Sequence, residues 1–358
     1  MTSEDKLYMS RCLYLASLGK SFTAPNPMVG AVVVHKGKII GEGYHKRYGA
    51  SHAEPNAINT VKDKSLLKNS TLYVNLEPCS HYGKTPPCAN LILNTGIPRV
   101  VIGTFDPNPK VSGKGIEILK QGGIDVKIGI LENECRHLNR RFFCFQQNKR
   151  PFVILKWAQT ADGFIDIQRE SNATPALKIS NSTTQQLTHQ MRSENMAIMV
   201  GTTTVLLDNP HLNLRHWYGK SPVRLTIDRK GIIPDHYYIK DGTQQTIIFT
   251  EQHSSDKKNL NYELIDTGNY NIEYILEYLY KKNIHSVLVE GGNTLLNNFI
   301  EKKIWDEANI ETSPLKIGNG VKAPVLTNAE IESEQMIERH RWKHFKKTKN
   351  STEQKLIL

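Results

Sequence analysis

Apolar residues recur at helical spacing over residues 4–18, and the run stops at Gly19, which predicts an amphipathic helix. Two β-rich runs follow. MVGAVVV and KIIGEGY flank HKG, the pattern of two strands about a turn. HAEPNAINTVKD returns to helical spacing with His52 and Glu54 in its first turn, and TLYVNLE is apolar enough for a buried strand. PPCANLILNTG predicts a helix with Pro87 early and Gly96 closing it. RVVIG and DVKIGI predict strands on either side of the helix GIEILKQGG, so this half has the βαβ rhythm of a layered α/β domain. A single further helix, ECRHLNRRFFCFQQNKR, reaches Pro151.

A fresh strand pattern, PFVILKWAQTADG, starts there, which places a seam near Asn148 and predicts domains over residues 1–147 and 148–358. The second half carries strand patterns at AIMVG, VRLTID, QTIIFT, SVLVEGG and DEANIET. They alternate with helical STTQQLTHQMRSE and YILEYLYKK, so this half is α/β as well. From about Ile331 the chain is polar and basic until the closing QKLIL, and one or two edge strands are expected. At 358 residues the chain suits two domains, each able to bury its own core, and it shows no internal repeat.

No run approaches the roughly eighteen apolar residues of a membrane span, so a soluble protein without a membrane partner is expected. MTSEDKLYMSRC reads as the start of an amphipathic helix rather than a signal segment, and five cysteines is an odd number. Both point to a reducing, cytoplasmic setting, where a close cysteine pair suggests a metal or catalysis before a disulfide. Forty-six Lys and Arg against thirty-five Asp and Glu leave a charge of +11, which favours anionic partners. Yet Lys36, Lys38, Lys46, Lys257, Lys258, Lys343, Lys346, Lys347 and Lys349 are scattered and not gathered with aromatics, the pattern of a solvated surface. A phosphorylated small molecule is therefore expected in preference to nucleic acid.

His52, Cys79 and Cys88 form a one-nitrogen, two-sulfur set that suits Zn2+, with three protein ligands leaving a fourth position for water. Cys79 follows a strand, and Cys88 falls in the first turn of a helix whose positive end favours thiolate. Glu54, two residues past His52, is placed to move protons in a hydrolytic attack on an aromatic carbon, the H-x-E plus P-C logic of nucleobase deaminases. The competing account is a closed zinc knot, with His81, Cys135 or Cys144 as fourth ligand, or two buried thiols.

HAEPNAI together with LEPCSHYGKTPPC resembles the cytidine-deaminase superfamily. More specifically, it resembles the deaminase half of the bifunctional riboflavin-biosynthesis deaminase/reductase family. Common nucleobase deaminases place two residues between their cysteines, and this chain places eight. TAPNPMVGAVVV and the DPNP stretch from Asp106 also match. The resemblance implies a cytidine-deaminase-like three-layer domain acting on a phosphoribosylated diaminopyrimidinone, with Asn26, Lys84, Asp106 and Asn108 lining its pocket. Asn and Asp beside Pro also initiate turns without any ligand, so that reading stays open for Asn26 and DPNP.

VLVEGGNTLLNNF runs from an apolar strand through Gly-Gly into a helix, which can direct backbone N–H groups at an anion or can use glycine for geometry alone. LKWAQTADG, MRSENMAIMVGTTTVLLDNPHLNLR and VEGG resemble the reductase half of the same family, which has a dihydrofolate-reductase-like α/β fold and uses NADPH. The implied reaction reduces the ribosyl group to a ribityl chain. Carried over by motif, Ala158, Thr204, Asp208, Gly292, Asn293, Thr294, Leu295, Leu296, Asn297 and Asn298 hold the cofactor. Arg192, Leu212, Arg215 and Glu290 hold the substrate, the guanidinium forks being suited to a phosphate.

Lys156, on the first strand, is a candidate for the catalytic end of this pocket. One segment departs from the family. Where Gly-x-Ser-x-Trp-Ile-Thr is usual, this chain has ATPALKIS after a longer approach through RESN. Lys178, in the tryptophan's place, either meets a cofactor phosphate or is solvated. The expected protein is a homo-oligomeric bifunctional enzyme. The competing readings are a base deaminase acting on RNA through its basic surface and a zinc-stabilised nucleotide-binding module with a degenerate reductase half.

Overall fold

The computed structural model describes residues 3–80, 87–108, 111–266 and 271–348, and the chain divides into two units, Met1–Lys149 and Arg150–Leu358. In the first, the order is α1 (Ser3–Ser17), β1 (Gly30–His35), β2 (Lys38–Tyr44), α2 (Ala53–Thr60), β3 (Ser70–Leu76) and α3 (Cys88–Thr95). It continues through β4 (Arg99–Thr104), α4 (Lys114–Gln121), β5 (Asp125–Ile128), α5 (Glu132–Leu138) and α6 (Arg140–Asn148). The sheet runs β2-β1-β3-β4-β5, with β1 antiparallel to both neighbours and β3, β4 and β5 parallel.

Both faces are covered, which is why these strands read as near-continuous apolar runs. Ala31, Val33, Leu72, Val74, Val100 and Ile102 pack beneath α2, α3 and α4. The alternate residues Val32, Val34, Tyr73 and Val101 meet Tyr8, Met9, Cys12 and Leu15 of α1 and Cys135 of α5. The result is a three-layer α/β/α sandwich.

The single helix expected up to Pro151 is two. Asn139 stands between α5 and α6 with φ −100° and ψ 20°. Its Oδ1 accepts from the Met28 N–H at 2.7 Å and its Nδ2 donates to the Met28 carbonyl at 2.9 Å. The carboxamide thus pairs with a backbone 111 residues away, a constraint that local periodicity does not contain. Likewise α2 stops at Thr60, short of the expected end, and Asp63 caps a separate 3-10 turn over Lys64–Asn69 by accepting from the Ser65 N–H.

The second unit contains β6 (Phe152–Gln159), β7 (Phe164–Asp166), α7 (Ser182–Ser193), β8 (Ala197–Val200), α8 (Thr202–Asp208), β9 (Val223–Ile227) and β10 (Thr246–Thr250). It continues through β11 (Leu260–Leu264), α9 (Ile272–Lys281), β12 (Ser286–Glu290), α10 (Asn293–Glu301), β13 (Glu307–Thr312), β14 (Val321–Lys322), β15 (Ala329–Ile337) and β16 (His340–Lys347). Its main sheet has the order β11-β10-β9-β8-β12-β6-β13-β16-β15, parallel as far as β13 and antiparallel in the last two pairings. The apolar face of α9 and α10 seals one side of it.

Of the two polar strands expected near the end, β15 is an edge, whereas β16 lies inside between β13 and β15. QKLIL lies outside the described residues. Sequence patterning missed α8, β11 and the small β7-β14 sheet, all short and mostly half-buried. Among the described residues no helix is long and apolar enough to cross a membrane.

Two candidate active sites

In the first unit, the ligand atoms of His52, Cys79 and Cys88 lie within 4.8 Å of one another. His52 is the N-cap of α2, Cys79 leaves the end of β3, and Cys88 opens α3, so three element boundaries converge. His52 Nδ1 is 3.6 Å from Cys79 Sγ and 3.4 Å from Cys88 Sγ. The Cys88 backbone N–H, at the positive end of its helix, donates to Cys79 Sγ at 3.3 Å. Hydrogen bonding from the Cys88 side chain, and then from His52, holds the Cys79 thiol well below the usual range. The Cys88 thiol is pushed up by sharing that charge.

Two such sulfurs reach full thiolate character together only beside a cation, which makes this donor set fit Zn2+. Among the described residues, neither cysteine offered as the fourth ligand of a closed knot arrives. Cys135 is buried against α1 and its thiol donates to the Ile130 carbonyl, Cys144 is buried on α6, and neither joins the cluster. His81 and Lys84 lie outside the described residues.

Glu54 is 3 % exposed, in the first turn of α2, and its Oε2 has no hydrogen-bond partner. Burial first, and then the negative charge of Cys79, raise its carboxyl to about 7. A buried carboxyl that titrates near neutrality beside an open nitrogen–sulfur cluster is suited to carrying protons in both directions.

Three neighbours shape this pocket. His45 stands edge-on to His52 with ring centroids 5.5 Å apart. Its Nδ1 lies 3.0 Å from the Ser51 carbonyl, which only accepts, so Nδ1 carries the proton and Nε2 accepts from Asn26 Nδ2 at 3.1 Å. Glu77 is 4 % exposed and accepts from four backbone N–H groups, those of Asp106, Gly113, Gly115 and Ile116. The loop comes so close that a Cβ at Gly115 would sit 2.0 Å from the Pro78 carbonyl oxygen. Asp106 accepts from the Asn108 N–H at 2.7 Å, the turn chemistry anticipated for DPNP. Burial lifts the Asp106 carboxyl to about 7, opposed by that N–H and reinforced by Glu77 and Cys79. His45 and Glu77 escaped sequence reading, although Glu77 sits two residues before Cys79.

In the second unit a cleft of about 810 Å3 opens at the carboxyl ends of the parallel strands β6, β8, β9 and β12, the usual ligand position in such sheets. All the reductase residues expected above line it except Leu296 and Asn297. Both sit on α10, whose period turns them away: Leu296 is fully buried in the core, and Asn297 Nδ2 donates to Asn293 Oδ1. Gly291 and Gly292 approach α10 with φ of +83° and +78°, and its first turn faces the cleft with N–H groups that no helical partner uses. Six cations (Lys156, Arg169, Lys178, Arg192, Arg215, Arg229) and three carboxylates (Asp166, Asp208, Glu290) line the cleft, an excess of three positive charges.

Glu290 stands opposite Lys156 on the neighbouring strand and takes both arms of Arg192, at 2.8 and 2.7 Å. Burial works to raise Glu290, and Arg192 overrides it, holding the carboxylate below its usual range. Burial depresses Lys156, opposed by Glu290 and Glu311. Glu311, fully buried and absent from the sequence reading, lies 4.0 Å from Lys156 Nζ and accepts from Ser180 at 2.6 Å, with His340 Nδ1 2.7 Å away. Lys178 is exposed at the rim.

His189 Nδ1 accepts from the Arg215 N–H at 3.1 Å. Burial, followed by the Arg192 and Arg215 charges, lowers its ring to about 4 from 6.5. The folded value lies below the unfolded one, so the stability tied to the neutral ring is complete above pH 6.5 and is lost as pH falls toward 4. Denaturant unfolding of the second unit is expected to weaken across that window, and His189→Gln to flatten the decline. An identical acid limb in the variant would refute this.

Two family models cover the chain: "Cytidine and deoxycytidylate deaminase zinc-binding region" matches residues 2–104, and "RibD C-terminal domain" matches residues 151–352. The riboflavin biosynthesis protein RibD of Aquifex aeolicus is 38 % identical over 333 residues, 92 % of each chain. That of Bacillus amyloliquefaciens is 40 % identical over 336 residues, 91 % of this chain and 88 % of its own. Among solved structures, a diaminohydroxyphosphoribosylaminopyrimidine deaminase/5-amino-6-(5-phosphoribosylamino)uracil reductase from Thermotoga maritima superimposes with a TM-score of 0.87. It is 36 % identical, over 96 % of this chain and 99 % of that one.

Proposed function

Since the chain belongs to the RibD family of bifunctional riboflavin-biosynthesis enzymes, we propose that its two sites deaminate and then reduce one phosphorylated pyrimidine. Residues 1–147 form the deaminase and residues 148–358 the reductase. The first substrate is 2,5-diamino-6-ribosylamino-4(3H)-pyrimidinone 5′-phosphate. The observation that carries this reading is the His52, Cys79, Cys88 cluster beside the buried carboxyl of Glu54, whose Oε2 has no partner among the described residues.

Zinc held by those three side chains would lower the pKa of water from about 15.7 toward about 7. Glu54 would take one proton from the attacking water and pass it to the ring nitrogen, then take the remaining hydroxyl proton and pass it to the amine, which leaves as ammonia while the carbonyl forms. Asn26, oriented by His45, and Asp106 with Asn108, fixed by Glu77, line the ring's pocket.

NADPH supplies the hydride of the second step. The first turn of α10 and the positive charge of the cleft would hold its phosphates, and Ala158 and Thr204, which line the same cleft, would be among the residues that hold the rest. Lys156, which lines the cleft, would supply a proton from Nζ when the hydride is transferred. Arg192, with its fork committed to Glu290, positions that carboxylate against the substrate, and exposed Arg215, beside Leu212, takes the phosphate. The protein is further read as a cytoplasmic homo-oligomer. Five free cysteines fit a reducing compartment, and light scattering reads the assembly.

A coupled assay tests the whole reading. The phosphoribosyl substrate is expected to release ammonia and then oxidise NADPH. Chelating zinc abolishes the ammonia and leaves NADPH oxidation of the deaminated intermediate intact. Salt-dependent RNA binding with inosine formation would instead support the RNA-deaminase reading, and absence of NADPH oxidation would support a degenerate second half.

A further inference from the structure

The four substrate residues expected in the second unit line its cleft, and a buried histidine lines it with them. His189 stands there beside Arg192, Leu212, Arg215, His216 and Glu290. It precedes Arg192 by three positions on α7, so the two side chains leave the same side of the helix. The ring is 4 % exposed and meets His216 edge-on, with centroids 4.8 Å apart.

A main-chain N–H can only donate, so the bond from Arg215 at 3.1 Å makes His189 Nδ1 an acceptor. Burial and the two guanidinium charges keep the ring neutral at pH 7, and its one proton is therefore on Nε2. Among the described residues nothing accepts that proton. Nε2 is not sealed in the interior either, where an unmade bond would be costly, but is open to the cleft. The groups around it are themselves donors: Arg192 gives its fork to Glu290 and its Nη1 to the Asn213 carbonyl, and Arg215 Nη1 donates to Asn213 Oδ1. An N–H open to a cleft and flanked by two guanidinium groups calls for an anionic oxygen brought by a ligand.

We propose that His189 is a further substrate-binding residue of the reductase: its Nε2–H donates to a phosphate oxygen of the substrate while its Nδ1 seats the main chain of Arg215. One ring thus aligns the loop and completes the shell of donors around the anion. A protonated ring would place a third positive charge beside Arg192 and Arg215, whereas a neutral donor adds its bond without that repulsion. The proposal rests on the reading of this cleft as the reductase site, with the phosphate at Arg215.

Two substitutions separate the two edges of the ring. In His189→Asn the amide oxygen stands where Nδ1 stands and can still accept from Arg215, but no group reaches the position of Nε2. In His189→Gln the amide nitrogen reaches that position, and the acceptor for Arg215 is lost. Calorimetry on the full chain reads the Kd of the deaminated phosphorylated intermediate, with inorganic phosphate as competitor, and hydrogen exchange over residues 212–217 reads the seating of the loop.

His189→Asn is expected to weaken both the intermediate and inorganic phosphate about tenfold, with exchange at the wild-type rate. His189→Gln should bind the intermediate within about threefold of wild type, although its loop exchanges faster. Wild-type affinity in His189→Asn would overturn the proposal, and so would loss of affinity that follows loop exchange in both variants, since His189 would then act only as a seat for Arg215. Weaker binding of the intermediate with phosphate competing as well as in the wild type would overturn the phosphate contact. A wild-type protein that binds no intermediate at all would remove the reductase reading, and the proposal with it.

Discussion

Glu54→Gln is expected to cut ammonia release by about 10²- to 10⁴-fold, the range that a positioned acid–base group supplies. Zinc content, read by atomic absorption, and NADPH oxidation with the deaminated intermediate should both stay at wild-type levels. The amide matches the carboxylate in shape and removes only its ability to carry a proton. That ability is what the site has arranged: a 3 % exposed carboxyl, one oxygen without a partner, held at about 7 beside two cysteines and a histidine. An alanine would confound the test by opening a cavity. Deamination persisting at near wild-type rate would remove Glu54 from the mechanism, and parallel loss of zinc would make it a structural residue.

Glu290→Ala is expected to destabilise the second unit by about 3–5 kcal/mol, the usual cost of leaving one partner of a buried ion pair unpaired, and to abolish the reductase. Arg192 and Glu290 side chains are each 12 % exposed, and Lys156 faces Glu290 from the next strand. Removing the carboxylate therefore leaves Arg192 without its buried partner and Lys156 with Glu311 alone, at 4.0 Å, so lost charge compensation adds to lost hydrogen bonds. The paired change Arg192→Met with Glu290→Leu should recover most of the stability and none of the activity, because it removes the charge imbalance along with the site. Urea unfolding reads both variants. A loss below about 1 kcal/mol in Glu290→Ala would mean that the pair behaves as a surface bridge.

The layered α/β plan was legible because strands buried on both faces leave uninterrupted apolar runs that few other arrangements produce. The gathering of His52, Cys79 and Cys88 was legible for a different reason. HAE and PC are short, carry rare residue types, and fall at element boundaries where backbone geometry is stereotyped. The partners that position these groups were not legible. Asn139 acts on Met28 across 111 residues, and Ser180 acts on Glu311 across 131, distances at which no local pattern survives. Leu296 and Asn297 do not line the cleft, for a reason that is local. A contiguous motif was carried over whole, although a helix sends successive residues around its axis and only part of such a run can face one cleft.

Glu77 binds its loop through main-chain N–H groups alone, and every residue except proline offers the same group. The loop's course is therefore largely indifferent to which side chains it displays. Gly113, with φ +79°, and Gly115, pinned by the approach of Pro78, are exceptions. A substitution at Asn108 would exchange a side chain while Glu77 keeps its hold on the frame, whereas Asp106 also holds the turn itself by accepting from the Asn108 N–H, so retailoring for a different ring substituent is better begun at Asn108.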